Sequence, residues 1–471
     1  GGTRRGTRLE SGGEGQAGGG ARAAACLAFA AALEACAAAG PTARYDSLAS
    51  ELASAHPAPD APSLAPSTDD PFGGAATLSR EALVAAVLDR NPTLRAARDG
   101  WRAALARFPQ ATAPPDPMLG YGLAPAAVGG RQSGDGHRVE LRQPVPFPGK
   151  LRLRGEIALA EAEAAAQDHA AARLRLATAT ALLFDDHYLV ARAREVNAHH
   201  RALLADLAAV ARSQYESGAV PLSAPLRAEL ELAGLERESA ALEAEDAITR
   251  AQLNALLHRA PDLPLPAPPA RLAAADPGEI DPAAEAAAAL AARPELRAAE
   301  ARIRAGDAAV ASAERAFLPD FAVSAMYDGL WEEAALRPFI GVEIELPLQV
   351  GKRRAALAEA EALRDRARSE RASLESEVRA GVAIGVERVR EARRTLALMR
   401  DRLLPAARDV LDAARAAFES GQEPLGEVLE AEEALRELEL AEHRALAELD
   451  RRATELRSAT GALAATGEER P

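Results

Sequence analysis

Three places in the sequence set chemically able side chains next to one another. Asp185-Asp186-His187 puts two carboxylates beside an imidazole, the parts of a general acid-base pair. His199-His200 offers two metal-binding rings, but adjacent positions on a helix point in different directions and cannot both reach one ion. Gly149-Lys150-Leu151 has the Gly-Lys pair of a phosphate loop without the glycine five residues earlier or the Ser or Thr after the lysine. No nucleophile, base and oxyanion donors gather around any of them. The expectation is therefore no enzyme, no cofactor and no metal site, with residues 185–187 a solvated helix turn.

A further pair of acids is spaced for a shared face. In Gly426-Glu427-Val428-Leu429-Glu430-Ala431 the carboxylates of Glu427 and Glu430 stand at i and i+3. Glu432 and Glu433 follow, so the plain reading of this stretch is a solvated acidic face. What positions these residues is a turn that occurs twice. Tyr215-Glu216-Ser217-Gly218-Ala219-Val220-Pro221-Leu222 returns as Phe418-Glu419-Ser420-Gly421-Gln422-Glu423-Pro424-Leu425, with Gly218/Gly421 and Pro221/Pro424 each 203 apart. A glycine for positive φ at a helix C-terminus, then a proline and a new helix, is a reversal between long helices.

The chain between the turns repeats as well. Leu94 in Asn-Pro-Thr-Leu-Arg-Ala-Ala and Leu296 in Arg-Pro-Glu-Leu-Arg-Ala-Ala differ by 202, as do Gly149-Lys150 and Gly351-Lys352. From Lys150 no proline intervenes until Pro221, which predicts a helix of about 67 residues, roughly 100 Å long. A second runs from Val350 through Pro405 to Phe418. Alanines such as Ala160, Ala164, Ala171, Ala172 and Ala179 cover more than one face, as close packing against two neighbours requires.

Each repeat also predicts one β-hairpin. Met118–Leu123 precedes a strand in which Val139 and Leu141 alternate with Arg138, Glu140 and Arg142. Phe321, Val323, Ala325 and Tyr327 precede one in which Ile340, Val342, Ile344 and Leu346 alternate with Gly341, Glu343 and Glu345. Half of the sixteen aromatics fall in these regions (Phe108, Tyr121, Phe147, Phe317, Phe321, Tyr327, Trp331 and Phe339), as aromatic girdles at a membrane interface would, or as strands attract aromatics generally. Four strands cannot close a membrane barrel, but three chains would supply twelve, with twelve helical staves beside them.

The bulk composition agrees. The chain has 48% hydrophobic and only 3% aromatic residues, the mixture of long helices packed through small side chains. A net charge of −14 argues against a nucleic-acid partner. The only cysteines, Cys26 and Cys36, leave no disulfide framework for the remainder. Residues 1–36 read as an export signal, with arginines before a short apolar stretch. Leu33-Glu34-Ala35-Cys36 resembles a lipoprotein box with Cys36 as the lipid attachment site; the other reading is an ordinary signal with an incidental cysteine. The remaining boundaries are a Pro/Ala-rich extended linker at 37–77, a first repeat at 78–262, an inter-repeat linker at 263–283, a second repeat at 284–462 and a tail at 463–471.

The motifs Asn91-Pro92-Thr93-Leu94-Arg95-Ala96-Ala97, Pro115-Asp116-Pro117-Met118-Leu119 and Gln143-Pro144-Val145-Pro146-Phe147-Pro148-Gly149-Lys150-Leu151, with the two tips, resemble the TolC-like outer-membrane efflux family over about residues 78–462. The first and third look most like its heavy-metal branch. The resemblance implies a mainly α homotrimer in the outer membrane, its 12-stranded β-barrel continued by a 12-helix α-barrel in the periplasm. Its implied partners are lipid, a periplasmic membrane-fusion adaptor and an inner-membrane pump that supplies the energy, the chain itself being a passive exit duct for metal cations or small toxic compounds. It implies adaptor docking at the tips (Tyr215, Gly218, Pro221, Phe418, Gly421, Pro424) and a periplasmic gate ring at Glu427 and Glu430. The first tip has Ala224 and Arg227 at the equivalent places. The competing class is a periplasmic or lipid-anchored helical scaffold without a pore.

Overall fold

The computed structural model describes residues 43–55, 67–124, 136–272, 278–329, 331 and 337–462. In order, the elements are α1 (Ala43–Ser54), α2 (Arg80–Arg90), α3 (Pro92–Leu105), α4 (Arg107–Thr112), β1 (Met118–Ala124), β2 (Gly136–Val145), α5 (Lys150–Glu216) and α6 (Ser223–Leu256). Then follow α7 (Pro282–Ala292), α8 (Pro294–Arg315), β3 (Asp320–Asp328), β4 (Pro338–Glu345), α9 (Val350–Leu398), a π-helical turn (Met399–Leu403), α10 (Leu404–Glu419) and α11 (Leu425–Ala459). The sequence two helices, hairpin, long helix, tip, return helix is thus run through twice. Cys36 and the export-signal reading lie outside the described residues, as does the tail at 463–471.

Two compact units divide this chain. One is built from described residues within Gly1–His56, Arg102–Ala164 and Glu300–Ser369. Its centre is a four-stranded antiparallel sheet in the order β1-β2-β3-β4. The turn from β2 into α5 is tied down by Lys150, whose Nζ donates to the Leu318 carbonyl at 3.0 Å and to Asp320 Oδ1 at 2.8 Å. Asp320 also accepts from the Phe147 amide at 2.7 Å, and Phe147 stacks on Phe321. Gly149 is required at this junction. Its φ is +88°, and a Cβ there would lie 2.1 Å from the Arg315 guanidinium that donates to the Pro148 carbonyl. The Pro-Phe-Pro-Gly-Lys motif therefore fastens one hairpin to the other.

One expectation fails in this unit. The stretch within 37–77 read as extended contains α1, in which Leu48 is buried, Tyr45 stacks on Phe108 at 4.9 Å and Arg44 pairs with Glu163. Pro and Ala dominate that stretch on average, but Ala43–Ser54 itself contains no proline, buries Leu48 and sets Tyr45 against Phe108. Phe108 accordingly packs inside α4 and α1 and does not belong to a girdle.

The second unit comprises described residues within Pro57–Trp101, Ala165–Ala299 and Glu370–Pro471. One core gathers Leu83 and Val87 of α2, Phe184 and Tyr188 of α5, and Val378, Val382, Val386 and Val389 of α9. The valines recur every three or four residues, the stripe of a helix buried along one face. Asn91 links α2 to α3 and to α6: its Oδ1 accepts from the Thr93 amide at 2.9 Å and its Nδ2 donates to the Leu256 carbonyl at 2.9 Å. A second core surrounds the tips, with Leu204 and Ala211 of α5, Ala228 of α6, Phe418 of α10 and Val428 of α11. Of the alanines along α5, Ala160, Ala164 and Ala171 are buried, whereas Ala179 is exposed.

The two long helices differ in continuity. α5 is α-helical over all 67 residues, as its lack of proline predicts. Its counterpart widens into the π turn at Met399–Leu403, just ahead of Pro405. A proline ring crowds the carbonyl four residues back and donates no hydrogen bond to it, and one wider turn relieves both problems without ending the helix.

Candidate functional site

The sheet separates two chemistries. Its register places Leu119 and Tyr121 of β1, Val139 and Leu141 of β2, Phe321 and Val323 of β3, and Ile340, Val342 and Ile344 of β4 on one face. Leu119 and Val342 stay 75% and 69% exposed, so no described residue covers that part of the face. The opposite face carries Arg138 paired with Asp328 at 2.7 Å and Arg142 paired with Glu343 at 2.8 Å. Phe339 lies on this charged side, opposite Met326, and packs near Gly341, so it does not join Tyr121 and Tyr327 on the apolar side. Among the described residues, β1 and β4 pair on one side only.

The two tips are built by the same backbone device. Gly218 and Gly421 have φ of +78° and +73°. At the first tip the Gly218 amide donates to the Tyr215 carbonyl at 2.9 Å and the Ala219 amide to Gln214 at 2.8 Å. At the second, Gly421 donates to Phe418 at 3.0 Å and Gln422 to Ala417 at 2.9 Å. These paired bonds satisfy the last carbonyls of each helix and aim the chain back. Pro221 and Pro424 are exposed just before the return helices.

Side chains at the tips are less alike. Phe418 is buried in the tip core, while Tyr215 is 41% exposed. Ala224 is buried and Arg227 exposed at the first tip; at the second, Glu427 and Glu430 are both exposed, flanking the buried Val428 and Leu429. The i, i+3 spacing therefore does put the two carboxylates on one solvent-facing strip of α11.

Comparison with known proteins follows this geometry closely. Residues 286–462 match the model of the outer membrane efflux protein family. Over that stretch the chain is similar to this family. No curated protein sequence matches the chain significantly. Among solved structures it is similar to CusC, studied for the conformational changes accompanying folding and transmembrane channel formation, with a TM-score of 0.71 at 18% identity over 86% of this chain and 99% of that one. VceC of Vibrio cholerae superposes with a TM-score of 0.69 at 21% identity, covering 81% and 96% of the two chains. The open state of MtrE from Neisseria gonorrhoeae gives 0.64 at 17%, covering 81% and 88%. At these identities the likeness is one of fold: the mainly helical efflux fold with its small antiparallel sheet.

Two buried charge centres in the second unit went unseen in the sequence. In one, Arg80 of α2 reaches both Asp185 of α5 and Asp450 of α11, with its guanidinium 5.2 Å over the Phe184 ring. Burial pushes the Asp185 carboxyl up to about 7, against the pull of Arg80. The expected solvated turn at 185–187 is thus wrong: Asp185 and His187 are buried, and Arg451 holds Asp186 at 2.5 Å.

In the other centre, Glu432 of α11, expected on a solvated face, is only 2% exposed. Its Oε1 lies 2.6 Å from His200 Nδ1 and its Oε2 3.2 Å from Arg415 of α10. The second ring nitrogen of His200 lies 3.1 Å from Glu439. Burial alone would push the His200 imidazole down, but its hydrogen bonds to Glu432 and Glu439 hold it up at about 9. A signal did exist. Glu432 falls inside the apolar stripe of Leu425, Val428, Leu429 and Leu435, and His200 between Val196 and Leu204, where a charge needs a partner.

Proposed function

We propose that this protein is the outer-membrane exit duct of a tripartite efflux system. Three copies close their sheets into one barrel of twelve strands, with the apolar faces toward lipid and the Arg138, Arg142 and Glu343 faces toward a wet lumen. The observation that carries this reading is the sheet itself. It is antiparallel and open at both edges, with one uncovered apolar face and one charged face, in a chain where no described helix is long and apolar enough to cross a membrane. Open edges in lipid leave backbone groups unpaired, so the sheet needs further copies to be stable there.

The tips at Gly218 and Gly421 dock a periplasmic adaptor, which joins the duct to an inner-membrane pump. Glu427 and Glu430, repeated around the three-fold axis, form an acidic ring at the entrance and favour cationic cargo. Metal cations are the narrower reading, small toxic compounds the broader one; the Asn91-Pro92 and Pro146-Phe147-Pro148-Gly149-Lys150 motifs favour the former. Cys36 is the residue that an N-terminal lipid would modify, and the repeats divide the chain at 78–262 and 284–462. The conduit needs no catalytic group, because the pump supplies the energy.

The decisive experiment is fractionation followed by conductance. Detergent-extracted protein should cross-link as a trimer and form discrete channels in a planar bilayer. Recovery as a detergent-free periplasmic monomer would overturn the proposal in favour of a scaffold without a pore.

A further inference from the structure

We infer that His200 is a positioning residue for the entrance: a buried cation on the unbroken helix α5 that clamps the acid-bearing helix α11 against α5. This deepens the proposed function and rests on the reading that Glu427 and Glu430 frame the entrance.

The argument begins with rigidity. Glu427, Glu430 and Glu432 share a little over one turn of α11, so whatever fixes Glu432 also fixes which way the two exposed carboxylates point. Glu432 is fixed from two sides, by His200 of α5 and Arg415 of α10. Two turns further along, Glu439 takes the other His200 nitrogen and stands 3.6 Å from Arg408 of α10. An imidazole facing a carboxylate at each nitrogen must carry both protons to donate to both. Burial of the ring at 1% exposure makes that double donation strong and leaves no water to replace it.

The clamp also has something to hold still. α5 runs without interruption past His200, whereas α10 is joined to α9 through the π turn at Met399–Leu403. A wider turn with its ladder out of register is where a long helix bends at least cost. Bending at the π turn would displace α10, and its Arg415–Glu432 and Arg408–Glu439 contacts pass that displacement to the tip end of α11, which the His200 contacts hold against unbroken α5.

The charges around His200 set the direction of its pH response. α11 contributes Glu432 and Glu439, α10 contributes Arg408 and Arg415, and α5 itself contributes His199, whose ring is 5.4 Å away. α6 contributes Glu238, which is engaged by Arg436 of α11 at 2.5 Å. The folded imidazole, held near 9, lies above the ordinary histidine value near 6.5, so the clamp is complete below that value and fades as pH climbs through about 9. Loss of the proton leaves one carboxylate facing a ring lone pair, while Arg415 and Arg408 still hold α11 to α10. The hairpin is then released as a unit.

Single-channel conductance of the full-length protein in planar bilayers, from neutral pH to pH 10, tests this. The wild type should conduct weakly at neutral pH and several-fold more above a transition near 9. His200→Gln should conduct several-fold more than wild type at neutral pH and show no alkaline transition. Glu427→Ala/Glu430→Ala should raise conductance at every pH and keep the transition. Failure of that double variant alone would remove the acidic ring and leave the clamp standing. If His200→Gln does not assemble, Glu439→Gln, which removes the more exposed of the two partners, should lower the transition pH. Wild-type conductance and pH profile in the assembled His200 variant, or an unmoved transition in Glu439→Gln, would overturn the inference.

Discussion

The two hairpin tips share a backbone and little else. Both end a long helix at a glycine of positive φ with the same pair of amide bonds, and both restart after an exposed proline. Around the first, Tyr215 is half out in solvent and the helix behind it is unbroken for its full length. Around the second, Phe418 is buried, α11 bears exposed Glu427 and Glu430 beside the buried Glu432, and the helix behind is widened ahead of Pro405. A duplicated turn kept its geometry because only the main chain and glycine set it. Its side chains were free to diverge, and the second copy carries both the exposed acids and the π turn.

The sharpest way to break this contrast is inside the second tip's own acids. Glu432→Ala leaves the buried His200 imidazolium with Glu439 alone and removes a partner of Arg415, and should cost about 3–5 kcal/mol. Glu430→Ala, two residues away in solvent, should stay within about 0.5 kcal/mol. Urea denaturation of the detergent-solubilised protein reads both, and equal effects would show that the Glu432 contacts carry no weight. Next come the aromatics at the corresponding positions. Phe418→Ala should cost about 3 kcal/mol as a cavity in the tip core, against less than about 1 kcal/mol for the exposed Tyr215→Ala. A reversed order would put the packed tip in the wrong repeat.

The same contrast explains what could be read in advance. The hairpins, the 67-residue helix and both turns follow from period-two alternation, the absence of proline and the Gly-x-x-Pro spacing, all local properties. α1 is masked by the average composition of the proline- and alanine-rich stretch around it, an average that Ala43–Ser54 breaks. The π turn was hidden because Pro405 signals a disturbance without saying whether the helix stops or widens. Asp185 and Glu432 read as solvated, and the partners of His200 are not legible, because the contacting residues lie far off in sequence: Asp450 is 265 residues from Asp185, and Glu432 is 232 from His200. A charge on an apolar stripe announces that a partner exists, but only the packing of four helices names it.

The two buried charge centres also differ in balance, and pH separates them. At His200 three cations face two acids; at Arg80 one cation faces two. Asp185 is raised to about 7 in the folded chain from about 3.9 when unfolded, so the native state keeps a proton that the unfolded chain has released. Its contribution to stability is therefore full below about pH 4 and is lost as pH rises through about 7, at a slope of up to about 1.4 kcal/mol per pH unit. Asp185→Asn should flatten stability between pH 5 and pH 7, and Asp450 still engages Arg80 in that variant. Retention of the wild-type slope would place the titrating group elsewhere.

The smallest effects test the part that the tips share. A Cβ at Gly218 or at Gly421 meets nothing within 4 Å, so replacement by alanine probes the backbone alone. The left-handed conformation costs an L-residue about 1–2 kcal/mol, and that cost should appear equally at both positions. Equal losses for Gly218→Ala and Gly421→Ala would mean that the reversal itself is held the same way in each copy. A distinctly smaller loss at Gly421 would mean that the second tip relaxes its turn when strained, which is the behaviour expected of a hairpin hung on a π turn and tethered through His200. The glycine pair therefore measures, at the level of one dihedral angle, whether the divergence between the copies reaches the backbone or stops at the side chains.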